Sequence, residues 1–239
     1  IPSNTYPGTA SNITYTTGKF GDAAVFNGSN GDIAINTAGW AGTAASGSDT
    51  NFTISMWINW TSLSMPVGSV PLIGRNPSGQ PYGRVNINVY PNGSGYSISL
   101  ERGVGSTGYY SSGYNTNMAY VFQTGVWYNL VIVYTGGSAS RTAKVYINNS
   151  LEASYVLNTS YTATFSNDQN LGVTAGTYFN GKMDQIRFFN TALPQAAITA
   201  LYNETATTAQ SASVDYVNPS PNSIAYYKMS DATDQLGNY

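Results

Sequence analysis

The chain has 239 residues, of which 41% are apolar and only 8% charged, with a net charge of −2. That is enough apolar material for a real core, which excludes global disorder, and it leaves no basic footprint for nucleic acid or anionic lipid. The chain contains neither cysteine nor histidine, so disulfides, thiolate chemistry and the commonest general base and metal ligand are absent.

The length suits one large all-β domain or two small ones. No stretch is long enough for a membrane-spanning helix and no signal peptide is visible. A chain that opens on Ile1 reads as a mature product or an excerpt. Little charge, with Ser, Thr, Asn, Gly and Tyr in its place, suits an extracellular or cell-surface setting.

Residues 1–17 are polar and turn-rich, with Pro2 and Pro7-Gly8. Gly18-Lys19-Phe20-Gly21 leads to a short strand over 23–27, a turn at 27–31 and a second alternation over 32–35. A loop of small residues over 39–51 carries Trp40. Residues 52–60 alternate cleanly, with Phe52, Ile54, Met56, Ile58 and Trp60 on one face and Thr53, Ser55, Trp57 and Asn59 on the other, which predicts a strand. Three short strands follow at 72–75, 84–90 and 96–102. The loop over 103–117 holds Tyr109, Tyr110 and Tyr114.

Residues 127–134 are nearly unbroken β-branched, apolar and aromatic side chains, the pattern of a central strand buried on both faces. A second strand from Lys144 returns at Asn148-Asn149, a pair suited to the positive φ of a tight hairpin, into 151–155. Short edges are expected at 162–165 and 170–173, and a strand at 183–189. Pro194 followed by Ile198, Leu201 and Tyr202 at helical spacing predicts the single helix. Residues 205–223 read as a polar linker, and Ile224–Met229 as one more strand. The expectation is an all-β sandwich of two antiparallel sheets over 1–204, with the strand of 224–239 completing a sandwich.

Several of these segments resemble the laminin-G-like jelly-roll modules of the concanavalin A-like lectin/glucanase superfamily. Gly18 to Ser29 resembles the family's early strand, which carries Asp where Asn27 stands. Phe52-Thr53-Ile54-Ser55-Met56-Trp57-Ile58 resembles its Phe-Thr-Ile-Ser-x-Trp strand, and 127–151 its central hairpin. Asn180 to Asn190, then Ala192-Leu193-Pro194 and Leu201-Tyr202-Asn203, resemble its closing strand and helix. The family opens on a strand like Ile224-Ala225-Tyr226-Tyr227-Lys228-Met229, which here stands at the other end of the chain. Reading Gly237-Asn238-Tyr239 into Pro7-Gly8-Thr9 restores the family order, as in a circular permutation. That strand either folds into its own sandwich, begins a following module, or inserts into the next copy of the chain. Insertion into a neighbour makes Ile224, Tyr226, Tyr227 and Met229 the assembly strand. The chain would then be a structural subunit joined head to tail to other copies of itself in a surface filament.

The resemblance also bears on chemistry. Hydrolases of the superfamily use paired glutamates on one strand, whereas Glu101, Glu152 and Glu204 lie far apart in sequence, so they are read as solvated surface groups and the chain as no enzyme. The family's structural calcium implies Asp184 as a ligand, assisted by Asp32, Asp231, Asp234 and a backbone carbonyl near Gly28. Asp184 shares parity with Ile186 and Phe188, which points it at the core. The alternative is a carboxylate that accepts backbone N–H bonds or pairs with Arg187 or Lys182. For a lectin-like adhesion module the aromatic residues Trp40, Trp57, Tyr109, Tyr110 and Tyr114 are the candidates to stack on sugar rings. Asn12, Asn51, Asn92 and Asn158, with Asn27, Asn59, Asn148 and Asn203, stand in Asn-x-Ser/Thr acceptor sequences for glycosylation.

Overall fold

A computed structural model describes residues 8–36, 50–65, 68–74, 85–104, 108–110, 118–136, 141–157, 168–174, 176–205 and 223–231, with side chains outside 101–110, 168 and 36. Two antiparallel sheets face one another. Sheet A is seven-stranded, in the order β1 (Gly8–Ser11), β4 (Asp32–Asn36), β13 (Asp168–Leu171), β6 (Val70–Gly74), β7 (Val85–Asn92), β8 (Gly95–Val104) and β9 (Gly108–Tyr110). Sheet B is eight-stranded. It runs β12 (Ser150–Leu157), β11 (Arg141–Ile147), β10 (Trp127–Thr135), β5 (Phe52–Trp60), β16 (Asn180–Phe189), β3 (Asp22–Asn27) and β2 (Thr14–Thr17), with β17 (Ser223–Tyr227) also on β16. A small hairpin of β14 (Val173–Thr174) and β15 (Thr177–Tyr178) closes one end.

The core lies between the sheets and follows from strand alternation. Ile54, Met56, Ile58 and Trp60 of β5 meet Ile73, Ile87 and Ile98 of sheet A in one buried cluster. Trp60, Phe26, Phe122, Tyr128 and Phe179 gather at one end, with ring centroids 4.9 Å apart for Trp60–Phe179 and 5.0 Å for Phe122–Tyr128. Each such ring contributes about 1.5–3 kcal/mol by burial.

Sheet B has a second covered face, which the alternation of β5 does not reveal. All nine residues of β5 are buried. The helix α1 (Gln195–Tyr202) follows Pro194 and lays Ile198 and Leu201 against Val131, Val133, Tyr146 and Phe189. Thr53 Oγ1 donates to the Thr191 carbonyl at 2.7 Å and accepts from the Leu193 N–H at 3.0 Å, which ties the approach to the helix onto β5. The two-sided burial expected of residues 127–134 is present in β10, whose residues 128–134 are all buried. Asn148 and Asn149 sit at φ 49° and 70°, and the β11–β12 hairpin turns there as expected.

Two strands lie where only turns were expected, β1 and β2, along with short β9. β1 and β2 are sheet edges, and β2 is exposed throughout. Their polar sequences carry no buried face to signal them. The strand Ile224–Met229 shortens to β17, after which Met229 turns at φ 63° while staying fully buried. The edge expected at 162–165 lies outside the described residues.

The tight packing at Gly181 sets a sharp test. A Cβ on Gly181 would sit 2.3 Å from the Asn59 carbonyl oxygen of the neighbouring strand, whereas one on Gly93, at φ 58°, meets nothing. Gly181→Ala is therefore expected to cost more than about 2 kcal/mol, and Gly93→Ala only the roughly 1 kcal/mol of a left-handed alanine. Urea unfolding of both variants measures the difference.

Candidate functional site

β16 carries two of the three buried charged side chains among the described residues, Asp184 and Arg187. It is a ten-residue strand with β5 along one edge. Along the other edge Asn180–Met183 pair with β3, and Ile186–Phe189 pair with β17. Between the two partners Gln185 adopts φ 51°, and the register with β5 breaks between Asp184 and Arg187. That bulge changes which way Asp184 faces. It lies opposite Trp57 on the outer side of the sheet, not toward the core with Ile186 and Phe188 as parity predicted.

Asp184 is fully buried there. Its Oδ2 accepts from the Lys19 N–H at 2.8 Å and the Phe20 N–H at 2.9 Å, and its Oδ1 accepts from Gln185 Nε2 at 3.1 Å. Burial raises its pKa to about 7, opposed by these hydrogen bonds from Phe20, Gln185 and Lys19. Of the two readings short of a metal site, the carboxylate that accepts backbone N–H bonds is the one present; Arg187 and Lys182 are not its partners in these bonds.

The calcium set implied by the resemblance is not assembled among the described residues. Asp32 belongs to sheet A, where it accepts from Asn170 Nδ2 at 2.6 Å and its pKa is raised by burial. Gly28 stands in the β3–β4 turn, its N–H on the Phe179 carbonyl at 3.0 Å. Asp231 is exposed beyond β17, and Asp234 lies outside the described residues. A hard cation needs converging oxygens, whereas Asp184 faces N–H donors, so these residues do not fit the ion. Asn27, in the place of the family's Asp, uses its Oδ1 to accept from the N–H groups of Ser29, Asn30 and Gly31 at 2.9–3.1 Å, closing the turn.

On the other side of the bulge is a network that the sequence did not announce. Arg187 binds Glu204 in a bidentate pair, Nη1 to Oε2 at 3.0 Å and Nη2 to Oε1 at 2.5 Å. The Glu204 side chain is fully buried, so it is not the solvated group expected at the end of a helix. Its charge is paid for by the fork geometry of the guanidinium. The Arg187 guanidinium carbon also lies 3.9 Å from the centroid of Tyr226, and the Tyr226 hydroxyl donates to Gln185 Oε1. Burial pushes the Tyr226 phenol up, the Arg187 charge opposing. Strand β17, the helix end and β16 thus share one set of hydrogen bonds. The assembly-strand residues fall on both faces: Tyr227 and Met229 enter the core, Ile224 packs at its margin and Tyr226 covers Arg187.

Trp57 is 3% exposed. It is stacked on Tyr202 at 6.0 Å and edged by Phe20 at 5.9 Å, with Lys19 Nζ 4.4 Å from its centroid. Its ring is therefore structural, because the 18–21 loop and the helix form a layer over the face that alternation leaves polar. Trp40 and Tyr114 lie outside the described residues. Tyr109 and Tyr110 fall in the backbone of β9. Of the acceptor asparagines, Asn12 and Asn51 are exposed. Asn92 donates Nδ2 to the Met118 carbonyl at 2.8 Å, Asn59 is buried, and Asn158 is outside the described residues. Glu101 and Glu152 lie in β8 and β12, two strands of different sheets.

An open groove of about 340 Å³ lies at the end of the sandwich that holds the aromatic cluster. Gly28 and Ser29 of the β3–β4 turn form one side, and Ser62 and Ser64 after β5 another. The β14–β15 hairpin contributes Gly176, Thr177 and the half-buried ring of Tyr178, and Asn180 stands at the start of β16. The Asn180 carbonyl accepts from the Thr61 and Ser62 N–H groups at 3.1 and 3.4 Å, which fixes that wall. Among the described residues the lining carries hydroxyls, amides and one aromatic ring, and no charged side chain. No sequence motif points to it, because three separate turns build it.

Comparison with known proteins bears on the fold. The Laminin_G_3 family of the concanavalin A-like lectin/glucanase superfamily matches residues 27–199. Among solved structures, domain 4 of AbnA, an extracellular arabinanase from Geobacillus stearothermophilus in complex with arabinotriose, is 24% identical with a TM-score of 0.58, over 82% of this chain and 88% of that one. The binding domain of botulinum neurotoxin DC in complex with SialylT is 14% identical with a TM-score of 0.56 over 84% of this chain. A botulinum neurotoxin type C structure, whose cell entry depends on two ganglioside molecules, gives the same identity, TM-score and coverage. This chain spans about half of each neurotoxin chain, 47%. A search of curated protein sequences finds no match. Among the described residues no helix is long and apolar enough to cross a membrane, a statement that does not bear on β-barrels.

The buried carboxylate gives a pH test. A folded pKa raised to about 7 means that the folded state holds the proton between roughly pH 4 and 7 while the unfolded state has lost it. The resulting stabilisation is fully present below about pH 4 and fades as pH rises through 7. Asp184→Asn removes this titration. The stability of the native chain minus that of the variant should therefore fall across pH 4–7, as read from urea midpoints. A difference that is flat with pH refutes the assignment.

Proposed function

Because the chain belongs to the concanavalin A-like lectin/glucanase superfamily, as a Laminin_G_3 member, we propose that it is a non-catalytic extracellular module that binds neutral carbohydrate. The groove beside Tyr178 carries this reading. Sugar hydroxyls are matched by Ser29, Ser62, Thr177 and Asn180, and the apolar face of a sugar ring by the ring of Tyr178. The uncharged side chains of the described lining favour neutral over acidic sugars. The arabinotriose-bound arabinanase domain supports it as a neighbour of the same fold. Hydrolysis by this superfamily's chemistry needs two carboxyl groups about 5–10 Å apart. Among the described residues no carboxylate lines the groove.

A second reading is the structural subunit joined head to tail by strand donation, with β17 as the strand concerned. It is a terminal strand delivered from beyond residues 206–222 that completes the sheet by covering Ile186–Phe189. In the structure it pairs within its own chain, so the donated form is an exchange of the same contacts between copies.

Titration of the purified chain with arabino-oligosaccharides and other neutral oligosaccharides, followed by calorimetry, tests the first reading. Saturable binding is expected, with no release of reducing ends. Tyr178→Ala should weaken binding at least about tenfold, on the order of 1.4 kcal/mol, without lowering the melting temperature. Undiminished binding by that variant would move the site elsewhere, and no binding to any neutral glycan would overturn the reading.

A further inference from the structure

We infer that the glycan site continues from the groove onto the outer face of sheet B, where Trp127, with Asn59 and Lys182 beside it, forms a second subsite. This rests on the carbohydrate reading of the groove and narrows its ligand to a neutral sugar chain long enough to reach both aromatic rings.

Strand alternation and register bring the three side chains together. In β10, Tyr128, Leu130 and Ile132 enter the core between the sheets, whereas Val131 and Val133 lie on the outer side beneath the helix. Trp127 shares the parity of Val131 and so stands on the outer side. It is paired with Asn59 of β5, and Asn59 is paired in turn with Lys182 of β16. Asn59 has the outward parity of Trp57, and Lys182 precedes the core residue Met183 and faces away from it. Trp127, Asn59 and Lys182 therefore form one row across three adjacent strands, about 10 Å from end to end.

The row is open because the outer layer stops one step short of it. The next row on that face is Trp57 and Asp184, which are paired across β5 and β16. Tyr202, Phe20 and Lys19 cover Trp57, and the amides of Lys19 and Phe20 cover Asp184. Beyond this cover Trp127 and Lys182 are only half-buried, and Thr61 is exposed. Trp127 belongs to neither of the two buried apolar clusters. A large ring that is partly open and fills no core is suited to stacking on a sugar face. The aromatic that this face offers a ligand is thus Trp127, and not the covered Trp57.

Asn180 joins the row to the groove. It stands two residues before Lys182 on the same strand, about 7 Å along it and with the same parity, and it lines the groove. Its side chain lies against the β3–β4 turn, where a Cβ on Gly28 would be 3.0 Å from its Nδ2. Tyr178, Asn180, Lys182 and Trp127 then follow one another along one surface. Lys182 alone is already about 10 Å from Trp127, and Tyr178 lies farther off, so one sugar ring cannot stack on both aromatics. A chain can. Between the two rings the amides of Asn180 and Asn59 offer donors and acceptors to hydroxyls, and the Lys182 ammonium donates to ring and hydroxyl oxygens.

Chain length is the test. Linear arabino-oligosaccharides and cello-oligosaccharides, from disaccharide to hexasaccharide, are titrated into the full-length protein by calorimetry. Native affinity should rise with length. Trp127→Ala should leave the disaccharide within about twofold and weaken the hexasaccharide at least about fivefold, the scale of one stacked ring. Trp127→Tyr, which keeps a ring, should restore most of that loss, whereas Tyr178→Ala should weaken every length. The indole N–H resonance of Trp127, identified by its loss in Trp127→Phe, should move with the hexasaccharide on native protein. Undiminished hexasaccharide binding by Trp127→Ala, or an unmoved indole resonance, overturns the second subsite and leaves the groove reading standing. A disaccharide weakened as much as the hexasaccharide marks Trp127 as structural and overturns it too. No binding at any length overturns both. Raising the ionic strength should change the hexasaccharide affinity less than about twofold, because no charge pair is screened. A steep loss marks an acidic sugar chain and overturns the neutral assignment.

Discussion

The constraint on which the molecule turns is the divided edge of β16. One strand must serve two partners in line, β3 along its first half and β17 along its second, while keeping β5 on its far side. A regular strand would place Asp184 and Gln185 between these partners with side chains pointing alternately into core and outer layer. The left-handed turn at Gln185 absorbs one residue instead. It sends Asp184 outward to the loop that introduces β3 and leaves Gln185 to bridge the Asp184 carboxylate and the Tyr226 hydroxyl. Strain of this kind costs on the order of 1–3 kcal/mol. It is tolerated because both polar groups it redirects are hydrogen-bonded.

From this junction the outer layer follows. Gly18 lies so close to Asp184 that a Cβ would be 2.6 Å from its Oδ2, which lets the Lys19 and Phe20 amides reach the carboxylate. The same loop brings Phe20 and Lys19 onto Trp57. On the opposite flank Glu204 is drawn down onto Arg187, and the helix before it covers β10 and β11. A sheet that its alternation presents as polar on one face is in this way covered on both. The groove is lined by other residues. Phe179, packed on Trp60 and Phe26, stands in sequence between its Tyr178 and Asn180, and Asn27 and Asn180 hold its turns.

Much of the fold was legible because the signals were local. The alternation of Phe52–Trp60, the apolar run of β10, the Asn148-Asn149 turn and the Pro194 helix start each sit within one short window, and the family resemblance set them in order. What escaped depends on pairs far apart in the chain. Nothing near Glu204 says that it meets Arg187, and nothing near Trp57 says that residues 18–21 and Tyr202 will cover it. Parity misplaced Asp184 because a bulge resets the count, and a bulge at a glutamine leaves no compositional mark. β1 and β2 passed as turns because exposed edge strands need no apolar face. The groove was invisible for a similar reason: serine, threonine and glycine in three turns look alike whether they converge or not.

The seam also has a mechanical side. β17 runs antiparallel to β16, with its rungs from Ile186–Tyr227 to Phe189–Ser223 lying across the strand axis. A pull along that axis on the residues beyond β17 loads those rungs together, in shear, and with them the Tyr226 anchor and the side chains seated in the core. Peeling from one end, which breaks hydrogen bonds singly, is a separate and easier route. The protein should accordingly resist tension along its C-terminal strand far better than tension across it, and that anisotropy belongs equally to a strand closed on its own chain and to one lent to a neighbour.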